Sequence, residues 1–273
     1  MRSVFYGDSL SLVWNCRANW HPGDGRVSGF HMKATNWEFK NRALVFGLIF
    51  ALAFQFYFLD HQNATAALAD RLTVRLGING DLIARVLFAL AAILLITAAL
   101  IRTWASAYLR AEVVYATDIK TASLVADGPY RRVRNPLYFG NLLMAIGMGA
   151  MTSGIGFLVL VLAMLAFCYR LILREEAELR AAQGERYEQY RKVVPRFWPS
   201  LRAHVPSAGG QASWASGFKA ESWYWGFALA LVAFAITLKV SLFFWILGAS
   251  LACFWLFTLL GQKEEQSQAG GSR

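Results

Sequence analysis

Two polar segments carry the residue types in this sequence that could do chemistry. The first, residues 127–140, opens on a Gly-Pro turn and runs to Asn135-Pro136. That pair is typical of a helix start, because Asn caps free N–H groups and Pro fits the first turn. A helix N-terminus carries partial positive charge, and Arg134 adds a full charge. The segment predicts a site for an anion such as the carboxylate of an amino-acid-like cofactor, or simply a capped membrane helix flanked by arginines.

The second segment, residues 170–199, begins inside the end of an apolar run. An ionisable side chain at that depth, such as Arg170, needs a partner or water and is a functional candidate by default. Glu175 and Glu176 lie at the membrane boundary, where acids gain nothing from membrane orientation. We therefore take all three as functional candidates and interpret the charged residues that follow them as a solvated helix face.

The composition places these segments in a membrane protein. Hydrophobic residues make up 57% of the 273 residues and charged residues 16%, against roughly 45–50% and about 25% in soluble domains. The net charge of +10 would suit a nucleic-acid-binding protein, but most Lys and Arg residues flank apolar runs, where membrane orientation explains them better. The three cysteines and four histidines show no spacing that suits disulfides or a metal site.

The apolar runs predict an all-α polytopic membrane protein of about six transmembrane helices. The candidate spans are residues 43–59 and 82–101, a hairpin over 136–173 that breaks at 152–154, and a hairpin over 223–260 that breaks near Lys239. Lys and Arg residues concentrate in the loops 102–135 and 174–222. The positive-inside rule therefore predicts that both loops and both termini are cytoplasmic, and we expect an integral protein of a bacterial inner membrane.

The chain divides into five regions by composition. They are a cytoplasmic N-terminal segment (1–41), a membrane core (42–200), a cytoplasmic linker (201–222), a C-terminal two-helix transmembrane hairpin (223–261) and a disordered tail (262–273). Residues 1–31 have no apolar core of a signal peptide. Met32 opens the segment that leads to the first span, and we expect that translation starts there.

Together the two polar segments resemble the isoprenylcysteine carboxyl methyltransferase and phospholipid methyltransferase superfamily. The family pattern is Gly-x-Tyr-x-x-x-Arg-His/Asn-Pro-x-Tyr-x-Gly, a helical hairpin, Glu-Glu-x-x-Leu, Gly-x-x-Tyr-x-x-Tyr and Val-Pro-Arg. The matching residues are Gly128, Tyr130, Arg134, Asn135, Pro136, Tyr138, Gly140, Glu175, Glu176, Leu179, Gly184, Tyr187, Tyr190, Val194, Pro195 and Arg196. The resemblance covers roughly residues 82–200 and leaves the last two spans outside it.

The resemblance implies S-adenosylmethionine as methyl donor, a lipid or lipidated acceptor, and a cofactor pocket that the segment after the fourth span closes. Methyl transfer is an in-line displacement that needs positioning and exclusion of water. The implied catalytic residues are Arg170 and Glu176, which would face the acceptor as base or orienter. The implied cofactor-binding residues are Gly128, Tyr130, Arg134, Asn135, Tyr138, Gly140, Glu175, Tyr187, Tyr190 and Arg196.

These residues have separate implied roles. Asn135 and Arg134 would bind the cofactor's carboxylate, and Glu175 would accept hydrogen bonds from its amino or ribose groups. Tyr130, Tyr138 and Tyr187 would wall the sulfonium or the adenine, because a cation favours aromatic faces. Arg196 would pin the closing segment.

One departure and two alternatives bear on this interpretation. Carboxyl-methylating members of the superfamily usually have His where this chain has Asn135, which weakens the case for a prenylcysteine acceptor and leaves phospholipid-type acceptors open.

Membrane reductases of the sterol type share the Asn-Pro-x-Tyr helix start and use NADPH. A non-enzymatic membrane protein or transporter is the other alternative, although the chain shows no internal repeat.

Overall fold

The fold, taken from a computed structural model that describes residues 32–115 and 126–270, is built from α-helices. They are α1 Asn36–Lys40, α2 Arg42–Gln55, α3 Tyr57–Asp60, α4 Ala64–Leu76, α5 Gly80–Tyr115, α6 Pro136–Gly149, α7 Gly154–Gln183, α8 Glu185–Val193, α9 Trp214–Thr237 and α10 Val240–Gly270. A 3-10 turn covers Gly128–Arg131. Within the described ranges no strand forms beyond an isolated bridge, so the predicted all-α class is confirmed.

Both predicted hairpin breaks are confirmed. The first lies between Gly149 and Gly154, where the Ser153 hydroxyl accepts a hydrogen bond from the Gly156 N–H at 3.1 Å and caps α7. The second lies at Leu238, whose left-handed backbone (φ 54°) ends α9.

Among the described residues, four helical stretches are long and apolar enough to cross a membrane: Arg42–Asp60, Gly80–Leu109, Gly154–Gln183 and Trp214–Thr237. The helix α6 has 14 residues, and the apolar part of α10, Val240–Trp255, is also shorter than a usual span. The structure thus has helices at all six predicted span positions, and four of them reach the length and apolarity of a span.

The long helix α5 forms the centre of the bundle and packs against both α6 and α9. Small residues permit the close approach, as is usual for helices within membranes. A Cβ added at Gly217 of α9 would lie 2.6 Å from the backbone oxygen of Thr103 on α5. The core between these helices contains Leu95 and several alanines of α5, such as Ala98, and aromatic side chains of α9, such as Phe234.

Two helix limits and one whole helix differ from the sequence prediction. The helix α9 begins at Trp214, inside the predicted linker, because Ala, Lys and Glu at its start favour a helix. The helix α10 continues to Gly270, where a disordered tail was expected from residue 262, because no Gly or Pro interrupts residues 262–268. The amphipathic helix α4 was not predicted at all, since it is short and polar.

The described part of the N-terminal region docks onto α7. Thr35 and Glu38 form a capping box at the start of α1, and the Ala34 N–H donates to the Arg170 carbonyl at 3.1 Å. Ala34 itself is buried in the core beside α7. The predicted start at Met32 concerns residues 1–31, which lie outside the described residues.

Candidate functional site

The closing segment, residues 194–210, brings the two sequence motifs together at one end of the bundle. It follows α8 and runs back along the turn that precedes α6. The Arg134 N–H donates to the Pro195 carbonyl at 2.9 Å, and the His204 N–H donates to the Arg131 carbonyl at 2.8 Å. These backbone hydrogen bonds hold the closing segment against the residues that begin the first motif.

Asp127 anchors the far end of the closing segment. Its buried carboxylate accepts hydrogen bonds from the Ser207 hydroxyl at 2.6 Å, from the Ala208 N–H at 3.0 Å and from the Gly210 N–H at 2.8 Å. Burial acts to raise the pKa of the Asp127 carboxyl, but these three hydrogen bonds, with the nearby Arg131, lower the pKa below its usual value. Asp127 therefore clamps the segment as a carboxylate.

Glu176 of α7 is the charged centre of the site. Arg196 donates to its carboxylate from Nε to Oε2 at 3.1 Å, and Arg196 Nη2 lies 3.0 Å from the same oxygen. Arg134 Nη1 lies 3.2 Å from Oε1, an ion pair that lacks the geometry of a hydrogen bond. The side chain of Glu176 thus joins the first motif to the Val-Pro-Arg ending through two guanidinium groups.

Asn135 precedes α6 as predicted, but the predicted cap is wrong. Its side chain makes no hydrogen bond to the helix N–H groups. The Asn135 amide instead donates to Glu176 Oε1 at 3.3 Å and to the Arg196 carbonyl at 3.0 Å. A buried carboxylate is a stronger acceptor than the alternatives open to this amide, so Asn135 turns toward Glu176 and links α6 to α7 and to the closing segment.

Glu175 points in a different direction from Glu176. The buried Tyr138 hydroxyl of α6 donates to Glu175 Oε1 at 2.6 Å. Consecutive residues of a helix lie about 100° apart around its axis, so the two acids contact different neighbours. The structure brings Tyr138 and Glu175 together, which the sequence motifs alone did not indicate.

Three tyrosines of the motifs are buried beside these charges. The Tyr190 hydroxyl donates to the Tyr130 carbonyl at 2.8 Å, and the ring centres of Tyr187 and Tyr190 are 6.1 Å apart. The hydroxyls of Tyr130 and Tyr187, and the Nε of Arg134, have no hydrogen-bond partner within the described residues. Burial raises the pKa of Tyr187 to about 12 and raises the pKa of Tyr130 as well, so both hydroxyls keep their protons at neutral pH.

The two glycines of the first motif make room for the neighbouring helix α5. Gly128 has a left-handed backbone (φ 57°), and a Cβ there would lie 2.4 Å from the ring of Tyr108 on α5. A Cβ at Gly140 would lie 2.5 Å from Cγ of Arg102 on the same helix. Both predicted cofactor-binding glycines are therefore positions of close packing against α5.

Arg170 is not brought to Glu176. Its Nη2 donates to Glu38 of α1 at 2.7 and 2.9 Å, and the two side chains are about a quarter exposed. The hydrogen bond from the Thr35 N–H, with Arg170, lowers the pKa of the Glu38 carboxyl. The acid that pairs with Arg170 thus comes from the N-terminal segment. Glu38 and Arg170 are 132 residues apart in the sequence, so no local pattern indicates their contact.

A second buried polar cluster, which the sequence analysis missed, lies deeper in the bundle. Arg102 of α5 donates from Nε to Glu221 Oε2 at 2.7 Å, and from Nη1 to Asn141 Oδ1 at 2.6 Å. Its guanidinium lies over the ring of Tyr224, whose hydroxyl also donates to Asn141. The sequence pattern predicts a cytoplasmic loop from residue 102, whereas in the structure Arg102 lies within α5. The available signal was Glu221, an acid adjoining an apolar run.

Comparison with known proteins bears on the first motif and the hairpin after it. The model of the phospholipid methyltransferase family matches residues 86–186. The chain is also 38% identical over 79 residues to a protein-S-isoprenylcysteine O-methyltransferase of Schizosaccharomyces pombe, which is 29% of this chain and 34% of that protein. Both matches support the predicted resemblance of this segment to the isoprenylcysteine carboxyl methyltransferase and phospholipid methyltransferase superfamily.

Two bacterial relatives carry names from metal resistance. The chain is 30% identical over 128 residues to the cobalt-zinc-cadmium resistance protein CzcN of Cupriavidus metallidurans, which is 44% of this chain and 57% of that protein. It is 32% identical over 88 residues to the nickel-cobalt-cadmium resistance protein NccN of Alcaligenes xylosoxydans xylosoxydans, 32% of this chain and 41% of that protein. The chain thus spans about half the length of these relatives. No solved structure matches it significantly.

The matched methyltransferase segment includes part of the site only. It contains Arg102, Arg134, Glu175 and Glu176, whereas Glu221 lies beyond it. The closing segment and α9 also lie beyond residue 186. Part of the candidate site therefore comes from residues that the family model does not cover.

Proposed function

We propose that this chain is an integral membrane methyltransferase that transfers a methyl group from S-adenosylmethionine to a lipid-like acceptor. The observation that carries the proposal is a set of three buried polar groups with no hydrogen-bond partner among the described residues: the hydroxyls of Tyr130 and Tyr187 and the Nε of Arg134. All three come from the superfamily motifs.

Unpartnered buried polar groups are rare, because each one costs roughly 1–3 kcal/mol of desolvation. Here two such groups lie in the turn before α6 and the third lies on the short helix α8. A polar ligand that contacts all three groups explains them best. Arg134 suits a carboxylate, since a guanidinium donates in a planar fork that fits carboxylate oxygens. The two hydroxyls can donate to or accept from ribose or amino groups. These are the groups that S-adenosylmethionine offers.

When bound, S-adenosylmethionine supplies an activated methyl group on a sulfonium. The chain's own residues would hold and enclose it. Arg134 would bind the carboxylate, and Glu176 keeps Arg134 and Arg196 together at the joint of the two motifs. The tyrosine faces would lie near the positive charge, which aromatic rings attract. The closing segment, fixed by Asp127 and by its backbone hydrogen bonds, would exclude water.

The contacts of Glu176 favour a positioning role over the catalytic role that the resemblance implied. Its Oε1 accepts from Asn135 and its Oε2 accepts from Arg196, so both carboxylate oxygens already have donors. We therefore propose that Glu176 positions the two guanidinium groups, in place of the base suggested by the sequence. A base or orienter role for Arg170 also loses support, because Arg170 pairs with Glu38.

A lipid-like acceptor suits the outer surface of the closing segment. Trp198 is 69% exposed and Leu201 is 97% exposed, and Trp198 packs edge-on against Phe139 of α6. Exposed apolar side chains beside a site favour contact with a lipid or a membrane surface. The name of the yeast relative, an isoprenylcysteine methyltransferase, supports the same class. By the positive-inside rule we place this end of the bundle, and both termini, in the cytoplasm.

A transfer assay tests the proposal. Purified protein in detergent is incubated with S-adenosylmethionine carrying a labelled methyl group and with bacterial membrane lipid extract. We expect label in the lipid fraction, and its loss in Arg134→Ala and Glu176→Gln. Arg191→Ala is the matched control, because Arg191 pairs with Glu188 on the half-exposed face of α8. Full activity of Arg134→Ala would refute the assigned site, and absence of transfer by the wild type to every lipid fraction would count against a lipid acceptor.

A further inference from the structure

We propose that Arg102 and Glu221 are positioning residues for the methyltransferase site, and that α9 is consequently a working part of the catalytic core. The inference rests on the proposed function. It concerns a helix that begins after the segment matched by the family model ends. Neither residue belongs to the motifs that carry the resemblance.

The Arg102–Glu221 ion pair links α5 to α9, and both carboxylate oxygens of Glu221 accept hydrogen bonds. Arg102 Nε and Nη2 donate to the two Glu221 oxygens at 2.7 and 3.2 Å, and the Ser106 hydroxyl donates to Glu221 Oε1 at 2.5 Å. Both side chains are less than a tenth exposed. A bidentate pair of this kind fixes direction as well as distance, because the guanidinium fork must lie in the plane of the carboxylate.

The same guanidinium reaches the start of α6. Arg102 Nη1 donates to the Leu137 carbonyl at 3.1 Å and to Asn141 Oδ1 at 2.6 Å. Leu137 lies two residues after Asn135, whose side chain contacts Glu176. Arg102 can reach α6 because Gly140 has no Cβ, which would lie 2.5 Å from Arg102 Cγ. Glu221 thus acts through Arg102 on the first turns of α6, where the site residues Asn135 and Tyr138 are placed.

The positioning role of the Arg102–Glu221 pair can be tested without a large loss of folding stability. Removing one partner of a buried ion pair leaves an uncompensated charge and destabilises strongly, whereas replacing both partners with apolar residues of similar volume is often neutral or stabilising. A double variant, Arg102→Met with Glu221→Leu, is therefore expected to fold. It retains a packed contact between α5 and α9, but it no longer holds the Leu137 carbonyl and Asn141.

The test compares the wild type, the two single variants and the double variant as full chains in detergent. Three quantities are measured: the unfolding temperature, S-adenosylmethionine affinity by calorimetry, and hydrogen exchange of the backbone over residues 137–141. The control double variant is Thr103→Val with Trp225→Phe, which removes a hydrogen bond of 3.0 Å between the same two helices without touching α6.

We expect the double apolar variant to unfold near the wild-type temperature, to bind S-adenosylmethionine about tenfold more weakly and to exchange residues 137–141 about tenfold faster. The control should leave affinity and exchange unchanged. Wild-type affinity and exchange in a folded double variant would overturn the inference. If the double variant does not fold, Arg102→Lys decides instead. An ammonium has three donors and no planar fork, so it cannot replace the four hydrogen bonds that Arg102 makes to Glu221, Leu137 and Asn141. Unchanged exchange in Arg102→Lys would overturn the inference.

The outcomes also separate this inference from the proposed function. A wild type that does not bind S-adenosylmethionine contradicts the proposed function. The exchange measurement still decides the positioning role, because the protection of residues 137–141 does not depend on the cofactor.

Discussion

Tyr187 and Tyr190 form a matched pair for which we expect opposite effects of the same Tyr→Phe substitution. Both are buried tyrosines on α8, and each loses only its hydroxyl in a Tyr→Phe variant. The Tyr190 hydroxyl donates to the Tyr130 carbonyl at 2.8 Å, whereas the Tyr187 hydroxyl has no hydrogen-bond partner among the described residues. The same chemical change should therefore affect stability and cofactor binding differently at the two positions.

The expected magnitudes follow from these contacts. Tyr190→Phe removes a hydrogen bond and leaves a buried carbonyl unpaired, which should reduce the free energy of unfolding by about 1–3 kcal/mol. Tyr187→Phe removes an unsatisfied hydroxyl, so the cofactor-free protein should be as stable as the wild type or more stable. If the Tyr187 hydroxyl binds the cofactor, its loss should weaken S-adenosylmethionine affinity by roughly 3–10-fold, equivalent to about 0.5–1.5 kcal/mol.

Thermal unfolding in detergent and calorimetric titration with S-adenosylmethionine measure the two effects. We expect a lower unfolding temperature for Tyr190→Phe alone, and a clear loss of affinity for Tyr187→Phe. An equal loss of stability in both variants would show that Tyr187 already has a protein partner. Unchanged affinity in Tyr187→Phe would refute its assignment to the cofactor.

Further predictions concern the residues that hold the closing segment and the helices around the site. Asp127→Asn should lower the free energy of unfolding by about 2 kcal/mol at pH 7. Because folding lowers the pKa of Asp127, the stability that its carboxylate contributes is present above its ordinary pKa of 3.8 and is lost as the pH falls through the folded value. Denaturant titrations at several pH values should therefore show the difference between variant and wild type shrinking at low pH. Gly140→Ala should destabilise by about 1–3 kcal/mol because its Cβ meets Arg102, whereas Gly154→Ala, with open space around it, should not, and equal unfolding temperatures of the two variants would contradict the packing at Gly140. Glu38→Gln should cost no more than about 1 kcal/mol, since its ion pair is partly exposed, and limited proteolysis of residues 32–41 checks this value.

The sequence could predict the features that depend on local patterns. Apolar runs located the helices, and the residues at 152–154 and at Lys239 marked both hairpin breaks because turns need particular residue types at particular places. The charge distribution over the loops predicted that the two motifs share one side of the membrane, and in the structure the two motifs lie at one end of the bundle. The resemblance assigned Arg134 and Asn135 to the cofactor and Glu176 to the acceptor within one implied site, and in the structure both Arg134 and Asn135 contact Glu176.

The remaining contacts depend on how distant elements pack, which local patterns do not encode. Arg102 follows an apolar run directly and resembles any orienting arginine, until Glu221, 119 residues later, is found beside it. Asn135 has the sequence of a helix cap, but a nearby carboxylate from α7 redirects its amide. Arg170 needed a partner, as its depth indicated, and the fold supplies Glu38 from the N-terminal segment.

The most direct test of the central claim is calorimetric titration of the purified protein in detergent with S-adenosylmethionine and, separately, with NADPH. The account predicts saturable binding of S-adenosylmethionine, weakened by at least tenfold in Arg134→Ala and unchanged in Arg191→Ala, with no binding of NADPH. Binding of NADPH alone would indicate a membrane reductase. Binding of S-adenosylmethionine that Arg134→Ala leaves unchanged would contradict the site described for it.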